Sequence, residues 1–293
     1  MGYGSIGKRH ARLLGEAGHD VHIVSSQALP TGLRGYPTLA EASAFLRQAD
    51  LVLLASVTAR HQADLSALLE LGYRGPVLVE KPLFDRAPTE TPPPEGMQVS
   101  VAYNLRFHPV IRALRATLKG KRLRAAMLCA GQHLAQWRPG RTVTSTYSAH
   151  RDQGGGVVRD LSHEIDLARH LFGPLSLQAS HSARVSEITV DSEDIAIAVM
   201  RTPNCPFVSV EIDYLDLQPR RQIRVLTDDE TIEADLIRGM LSVNGVATQI
   251  PLPPDESYRL MHDAALDLDN GVLCSWQEGL ETVTLIDKIA PHA

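Results

Sequence analysis

The sequence predicts an α/β protein of two domains, the first on a parallel sheet and the second on a mostly antiparallel one. Three observations carry this. Gly2-Tyr3-Gly4-Ser5-Ile6-Gly7 reads G-x-G-x-x-G and runs directly into an amphipathic segment, Lys8 to Ala17, closed by Gly18. Up to Tyr103, apolar β-branched runs alternate with helical stretches, which implies parallel strands joined by right-handed crossovers. From Leu123 onward, strand follows strand with short turns, which pairs neighbours antiparallel.

Taken in order, Asp20 to Ser25 (DVHIVS) is β-branched and follows a Gly-His turn, so it reads as a strand. Leu51 to Val57 is a continuous apolar run, as in a strand buried on both faces. Ala63 to Leu71 has helical period; Pro76 to Val79 and Gln98 to Tyr103 are further strands. Pro109 to Leu118 is helical, Leu123 to Leu134 a strand, and 135–153 a loop rich in Arg, Thr and Ser. Gly154-Gly155-Gly156 precedes a helix, Val157 to Phe172, stopped by Gly173-Pro174. Strand-like runs follow at 176–185, 193–202, 207–215, 221–226 and 230–236. Met240 to Val243 and Val246 to Ile250 flank Asn244-Gly245, a two-residue hairpin signal. Ser257 to Leu268 and a last helix to about Ile289 close the chain, the latter opened by a Ser275/Glu278 capping box. The boundary between domains falls at 104, giving 1–104 and 105–293.

In a dinucleotide-binding (Rossmann) unit, the three glycines of such a motif allow the tight turn, the approach of backbone to pyrophosphate, and close helix–strand packing. The motif is trusted between a strand and a helix, and here only Met1 precedes Gly2. The expected fold is therefore a Rossmann domain whose first strand is missing, followed by an α+β domain with an open, mostly antiparallel sheet. The reading further expects the start at Met1 to be an artefact, with about ten apolar residues upstream.

Composition narrows the classes. The 293 residues are 44% hydrophobic with a net charge of −5, which argues against nucleic acid or a membrane surface as partner. No apolar run approaches the ~20 residues of a bilayer span. Cys129, Cys205 and Cys274 are far apart and odd in number, which suggests a reducing cytoplasm and no disulfide framework.

Two segments bear chemistry. Glu80-Lys81-Pro82 puts a lysine at the carboxyl end of a parallel strand, the edge where open α/β sheets bind ligands. Read alone, it is a solvated charged loop. Asp160 and His163 lie three apart on the helix after the triple glycine and would share a face; alone, the histidine is a satisfied core or surface residue. A metal reading of His163 with Asp166 lacks a third ligand, so no metal is expected.

Together these pieces resemble the Gfo/Idh/MocA family of NAD(P)-dependent oxidoreductases over nearly the whole chain. The resemblance rests on Gly2 to Gly7, Ser56-Val57-Thr58 with His61, Glu80-Lys81-Pro82, Tyr103 to Pro109, and Gly154 to Asp166. It implies hydride transfer between nicotinamide and a secondary hydroxyl or keto group of a sugar, sugar derivative or cyclitol. Lys81 becomes the active-site lysine and His163 the proton-transferring residue, with Asp160 beside it; many members space that pair four apart, not three. Cofactor contacts fall to Gly2, Gly4, Ser5, Ile6, Gly7, Ser25, Ser26, Ser56, Thr58, His61, Glu80 and Lys81. The strand ending at Ser25-Ser26 has no carboxylate for a ribose 2′-OH, which favours NADP over NAD. Arg106, Trp137, Arg138, Tyr147 and Arg151 are the substrate candidates. Arg138, Arg141 and Arg151 suit an anionic or nucleotide-linked sugar, or form a solvated basic loop. A homodimer or homotetramer through the second domain's sheet is expected. The alternative is a non-catalytic dinucleotide sensor or relict.

Overall fold

A computed structural model describes residues 1–88, 92–137, 140, 142–151, 154–267 and 271–291. In chain order, α1 (Ser5–Glu16), β1 (His22–Val24), β2 (Arg34–Tyr36), α2 (Ser43–Leu46), β3 (Val52–Leu54), α3 (His61–Glu70), β4 (Pro76–Val79) and β5 (Gln98–Val101) come first. Then come α4 (Pro109–Leu118), β6 (Leu123–Gly131), α5 (Val157–Asp160), α6 (Ser162–Phe172), β7 (Ser176–Ala183), β8 (Ile195–Arg201) and β9 (Val208–Asp213). They are followed by β10 (Arg220–Thr227), β11 (Thr231–Asp235), β12 (Met240–Val243), β13 (Val246–Gln249), α7 (Glu256–Leu266), β14 (Cys274–Ser275) and α8 (Trp276–Ile289). The chain divides into two units: Met1–Asn104 with Asp255–Val283, and Leu105–Pro254 with Thr284–Ala293.

In the first unit β3, β4 and β5 run parallel, and the short β14 pairs antiparallel with β5 at the edge. Val77, Leu78, Val79 and Leu54 are fully buried, which is why these strands read as unbroken apolar runs. β1 and β2 form a separate parallel pair. The sequence reading missed β2, whose Arg-Gly-Tyr is mostly exposed and has no apolar pattern to betray it. Among the described residues, Met1 and Gly2 lie between β1 and β3. The Gly2 amide donates to the Val24 carbonyl at 2.9 Å, and the Ala55 amide to the Met1 carbonyl at 2.7 Å. The Met1 amine donates to the Leu53 carbonyl, and burial pulls its pKa down to about 6. Next to Met1 lies a cavity of about 370 Å³ whose lining includes Leu14, Ile23, Val24, Val52 and Leu53.

The second unit is built on one eight-stranded sheet in the order β13-β12-β11-β10-β6-β9-β8-β7. Only β6 and β9 pair in parallel; every other neighbour is antiparallel. β8 shows the alternation: Ala196, Ala198 and Met200 are buried, while Ile197 is 42% exposed. α4 packs on β11 and β12, and α6 on β6 and β9. Val110, Ile111, Leu114, Ile165, Leu167 and Phe172 carry the helices' share of the core. The β12–β13 turn is Asn244-Gly245, with φ of 49° and 82°, the positive values that a two-residue hairpin turn demands.

One expectation is corrected here. The predicted helix from Val157 to Phe172 is broken at Leu161 (φ −98°, ψ 24°), so Asp160 ends α5 while His163 lies in α6. They do not share a face of one continuous helix. The capping box does form: the Ser275 amide donates to Glu278 Oε2 at 2.9 Å and the Glu278 amide to Ser275 Oγ at 3.3 Å.

Candidate active site

The glycine turn admits no other residue at two points. A Cβ on Gly2 (φ 92°) would lie 2.5 Å from the Ala55 carbonyl oxygen, and one on Gly7 would lie 2.3 Å from that of Gly2. Gly4 differs, because a Cβ there meets nothing within 4 Å. It opens α1, whose N-terminus has neither a side-chain cap nor an acidic residue in its first turn. With no cap of their own, the amides of Ser5, Ile6 and Gly7 and the positive end of the helix dipole suit a pyrophosphate.

The other expected cofactor residues lie in the same unit. Ser25 donates its amide to Tyr36 and accepts from the Gln27 amide through Oγ at 3.1 Å; Ser26 is exposed. Arg34 is held by Asp20 at 2.7 Å. Ser56 Oγ donates to Asp64 Oδ2 at 2.6 Å, and Thr58 opens the short turn Thr58–Arg60. Val57 between them is 68% exposed, unusual for an apolar residue at a strand end. His61 is fully buried, with Nδ1 3.0 Å from the Leu83 carbonyl and Nε2 3.3 Å from that of Ser56. Its ring braces these two loops together.

Half-buried Lys81 lies two residues past the end of β4, after Glu80. Its amide donates to Glu80 Oε2 at 3.1 Å, while Glu80 Oε1 lies 2.8 Å from His10 Nε2. His10 Nδ1 is 2.7 Å from His262 Nε2. Burial first, then the neighbouring His10, His19 and Arg259, lower the His262 pKa to about 3, so that ring is neutral near pH 7.

In the second unit, the triple glycine also has a steric reason. Gly154 and Gly156 take φ of 84° and 120°, and a Cβ on Gly156 would sit 2.4 Å from Glu193 Oε1. That oxygen accepts the Val158 amide at 3.2 Å and so caps the start of α5. Asp160 is buried and its Oδ2 accepts the Tyr214 hydroxyl at 2.8 Å; burial, then Asp160, push the Tyr214 pKa well above its usual value.

His163 Nε2 meets Arg221 Nη2 at 2.6 Å. A guanidinium only donates, so Nε2 is the acceptor of that contact, and the same nitrogen lies 3.4 Å from Glu164 Oε1. Arg221 also pairs with the fully buried Glu164 at 2.8 Å. Burial raises the Glu164 pKa and Arg221 opposes the rise. Burial, then Arg221, bring the His108 pKa down to about 4, which suits its role as the neutral acceptor of the Val110 amide at the start of α4.

The substrate candidates scatter. Arg106 is buried with Asp166, Nε at 2.9 Å and Nη2 at 2.6 Å, a bracing role that removes its guanidinium from solvent. Trp137 donates to the Gln132 carbonyl at 3.0 Å and stands edge-on to Tyr214 at 5.2 Å. Tyr147 is 42% exposed. Arg151 donates to the Pro291 carbonyl at 3.2 Å and lies 3.7 Å from Glu193. Arg138 and Arg141 lie outside the described residues. The sequence reading missed His10, Arg221, Glu193 and Tyr214. For His10 a signal existed, three residues past Gly7 on the buried side of α1; Arg221 lies in β10, Tyr214 just after β9 and Glu193 two residues before β8, with nothing local to mark them. Among the described residues no three His, Cys, Asp or Glu side chains cluster to hold a metal ion, and no helix is long and apolar enough to cross a membrane.

Residues 111–233 match the family model described as the GFO/IDH/MocA C-terminal domain. No curated protein matches the chain by sequence. Among solved structures, UDP-N-acetylglucosamine 3-dehydrogenase GnnA from Acidithiobacillus ferrooxidans is similar at 18% identity and TM-score 0.76, over 98% of this chain and 94% of its own. The WlbA dehydrogenase from Bordetella pertussis, solved with NADH and UDP-GlcNAcA, is 19% identical at TM-score 0.75, over 98% and 92%. Levoglucosan dehydrogenase, solved with NADH and levoglucosan, is 16% identical at TM-score 0.75, over 98% and 94%. Likenesses at these identities establish a shared mixed α/β fold.

Proposed function

We propose, from the premise that the chain carries a GFO/IDH/MocA C-terminal domain over residues 111–233, that it is an NAD(P)-dependent oxidoreductase. It moves a hydride between nicotinamide and a secondary hydroxyl or keto group of a sugar, sugar derivative or cyclitol. The observation that carries this is the uncapped glycine turn at α1, in the same unit as a lysine two residues past the end of a parallel strand. In this reading the first unit is the dinucleotide-binding domain. The gap between β1 and β3 is the place of the strand that leads into the glycines in such folds. The second unit binds substrate, and its sheet, which exposes Ile197 and Phe207, joins copies of the chain. With three free cysteines the protein works in the reducing cytoplasm.

Ser5, Ile6 and Gly7 hold the pyrophosphate through their amides, and Ser25 and Ser26, with no carboxylate after Val24, favour NADP. When bound, the nicotinamide supplies the hydride acceptor or donor. His163 takes the hydroxyl proton at Nε2 once Arg221 withdraws. Lys81 donates a hydrogen bond to oxygen on which negative charge develops. Asp160, anchored by Tyr214, orients the substrate or His163. Arg151 suits an anionic or nucleotide-linked sugar; GnnA is a UDP-N-acetylglucosamine 3-dehydrogenase, and WlbA was solved with UDP-GlcNAcA.

The test is turnover, followed at 340 nm with NAD and NADP, on free pyranoses, hexuronates, cyclitols and nucleotide-linked sugars. Lys81→Ala and His163→Ala should each lower it at least ~10²-fold with folding intact. Near-wild-type kcat in both overturns the assignment. Tight NADPH binding with no turnover across the panel supports the non-catalytic sensor instead.

A further inference from the structure

Three buried groups from three elements form one hydrogen-bonded chain in the first unit. His10 comes from α1, His262 from α7, and Glu80 from the end of β4. His10 and His262 are 2% and 3% exposed, and Glu80 is 9% exposed. Tyr258 stands edge-on to His10 at 5.6 Å, and Arg9 covers the other side of the tyrosine ring system at 5.0 Å. Both histidines are nearly closed to solvent, and His10 also lines the cavity beside Met1.

The donors and acceptors can be assigned. Glu80, as a carboxylate, accepts only, so His10 Nε2 carries a proton toward it. In a neutral His10 the Nδ1 is then the acceptor, and His262 Nε2 donates to it. Glu80 uses its second oxygen to grip the Lys81 amide. Every polar atom at the centre of the chain thus has its partner, and the last partner is the backbone of the lysine.

We infer that His10 is a positioning residue for Lys81. It holds the Glu80 carboxylate in the orientation that fixes the Lys81 backbone, and His262 sets the tautomer of His10. Because His10 rides on the helix that the glycine turn opens, the same contact ties the placement of Lys81 to that helix. This rests on the proposed role of Lys81. Supporting partners of this kind typically change activity 10–100-fold when removed around metal ligands, and small displacements of a reacting group have effects of the same order.

The test reads the Lys81 amide directly, by hydrogen exchange in the ¹⁵N-labelled protein. His10→Ala should lower Lys81 amide protection at least ~10-fold while the Val77, Leu78 and Val79 amides of β4 keep theirs. His10→Gln should restore it, because a glutamine amide can donate to Glu80 and accept from His262 at once. Should His10→Ala fail to fold, His262→Leu takes its place, with an expected loss of ~3-fold or more. On the best substrate of the panel, His10→Ala should lower kcat ~10-fold or more and change NADPH affinity less than ~3-fold. Unchanged Lys81 protection in His10→Ala, or equal loss in His10→Gln, overturns the inference. If Lys81→Ala is itself active, the functional reading fails whatever the exchange data show. If Lys81→Ala is inactive while His10→Ala is unaffected, the function stands and the positioning role falls.

Discussion

Replacing Asp166 with asparagine tests how the second unit is braced. Arg106 and Asp166 are 2% and 1% exposed and meet through two bonds of 2.9 and 2.6 Å. Asparagine keeps the shape of the acid but removes the negative charge that Asp166 sets against the buried guanidinium. Two unit charges about 4 Å apart attract by about 4 kcal/mol at an effective dielectric near 20. Breaking a buried pair from one side costs about 3–5 kcal/mol. For a domain of this size each kcal/mol moves Tm by about 2–4 °C, so Asp166→Asn should melt roughly 10 °C lower. The two tryptophans separate the units: Trp276→Phe leaves Trp137 as the sole indole and a reporter for the second. Urea unfolding in that background, by Trp137 fluorescence and circular dichroism, measures the loss. The double variant Arg106→Met/Asp166→Leu should recover most of it, because apolar replacement of a buried pair is often neutral. A loss under about 1 kcal/mol in Asp166→Asn, or no recovery in the double variant, refutes the reasoning.

Other outcomes follow from particular residues. Wild type should bind NADPH more tightly than NADH in a fluorescence titration, and Ser25→Asp should shift the preference toward NADH; a clear NADH preference in wild type removes the argument from Ser25 and Ser26. His108 and His262 have folded pKa values of about 4 and 3, below the unfolded value near 6.5. Below that value the unfolded chain binds protons the fold refuses, so their contribution is whole above pH 6.5 and fades toward pH 3. His262→Gln should flatten the fall in urea midpoint over that range. An apolar, β-branched hexapeptide fused ahead of Met1 should enter the 370 Å³ cavity; filling a fifth of it at about 24 cal/mol per Å³ adds roughly 2 kcal/mol, seen as a higher melting point of the first unit.

What the sequence disclosed was local. Gly2 to Gly7, the Asn244-Gly245 turn and the Ser275/Glu278 box each signal through residues a few positions apart, and all three form the turns or caps their spacing requires. The strands of the eight-stranded sheet were legible as short runs between turn residues, even β7 and β13, which have no buried residue. β2 was not, because its Arg-Gly-Tyr has no apolar pattern. The break at Leu161 was invisible, as the helical period continues across it. The partners that define the electrostatics were out of reach for another reason. His10 meets His262, and His163 meets Arg221, across 252 and 58 positions, and no local pattern reports such meetings.

The placement of β6 bears on how the protein is made. It leaves the ribosome as the first strand of the large sheet, yet its neighbours β9 and β10 lie roughly 75 or more residues downstream. At synthesis rates of about 5–20 residues per second, that is on the order of 4–15 s. For that time Ala126, Leu128 and Ala130 have no strand beside them, and two unpaired edges are open to any passing chain. The late hairpins can zip as they emerge, but they have nothing to zip onto until β6 is captured. Synthesis of this protein therefore carries a built-in interval of exposure, set by the order of strands and not by their stability, and it is the interval in which a chaperone has most to protect.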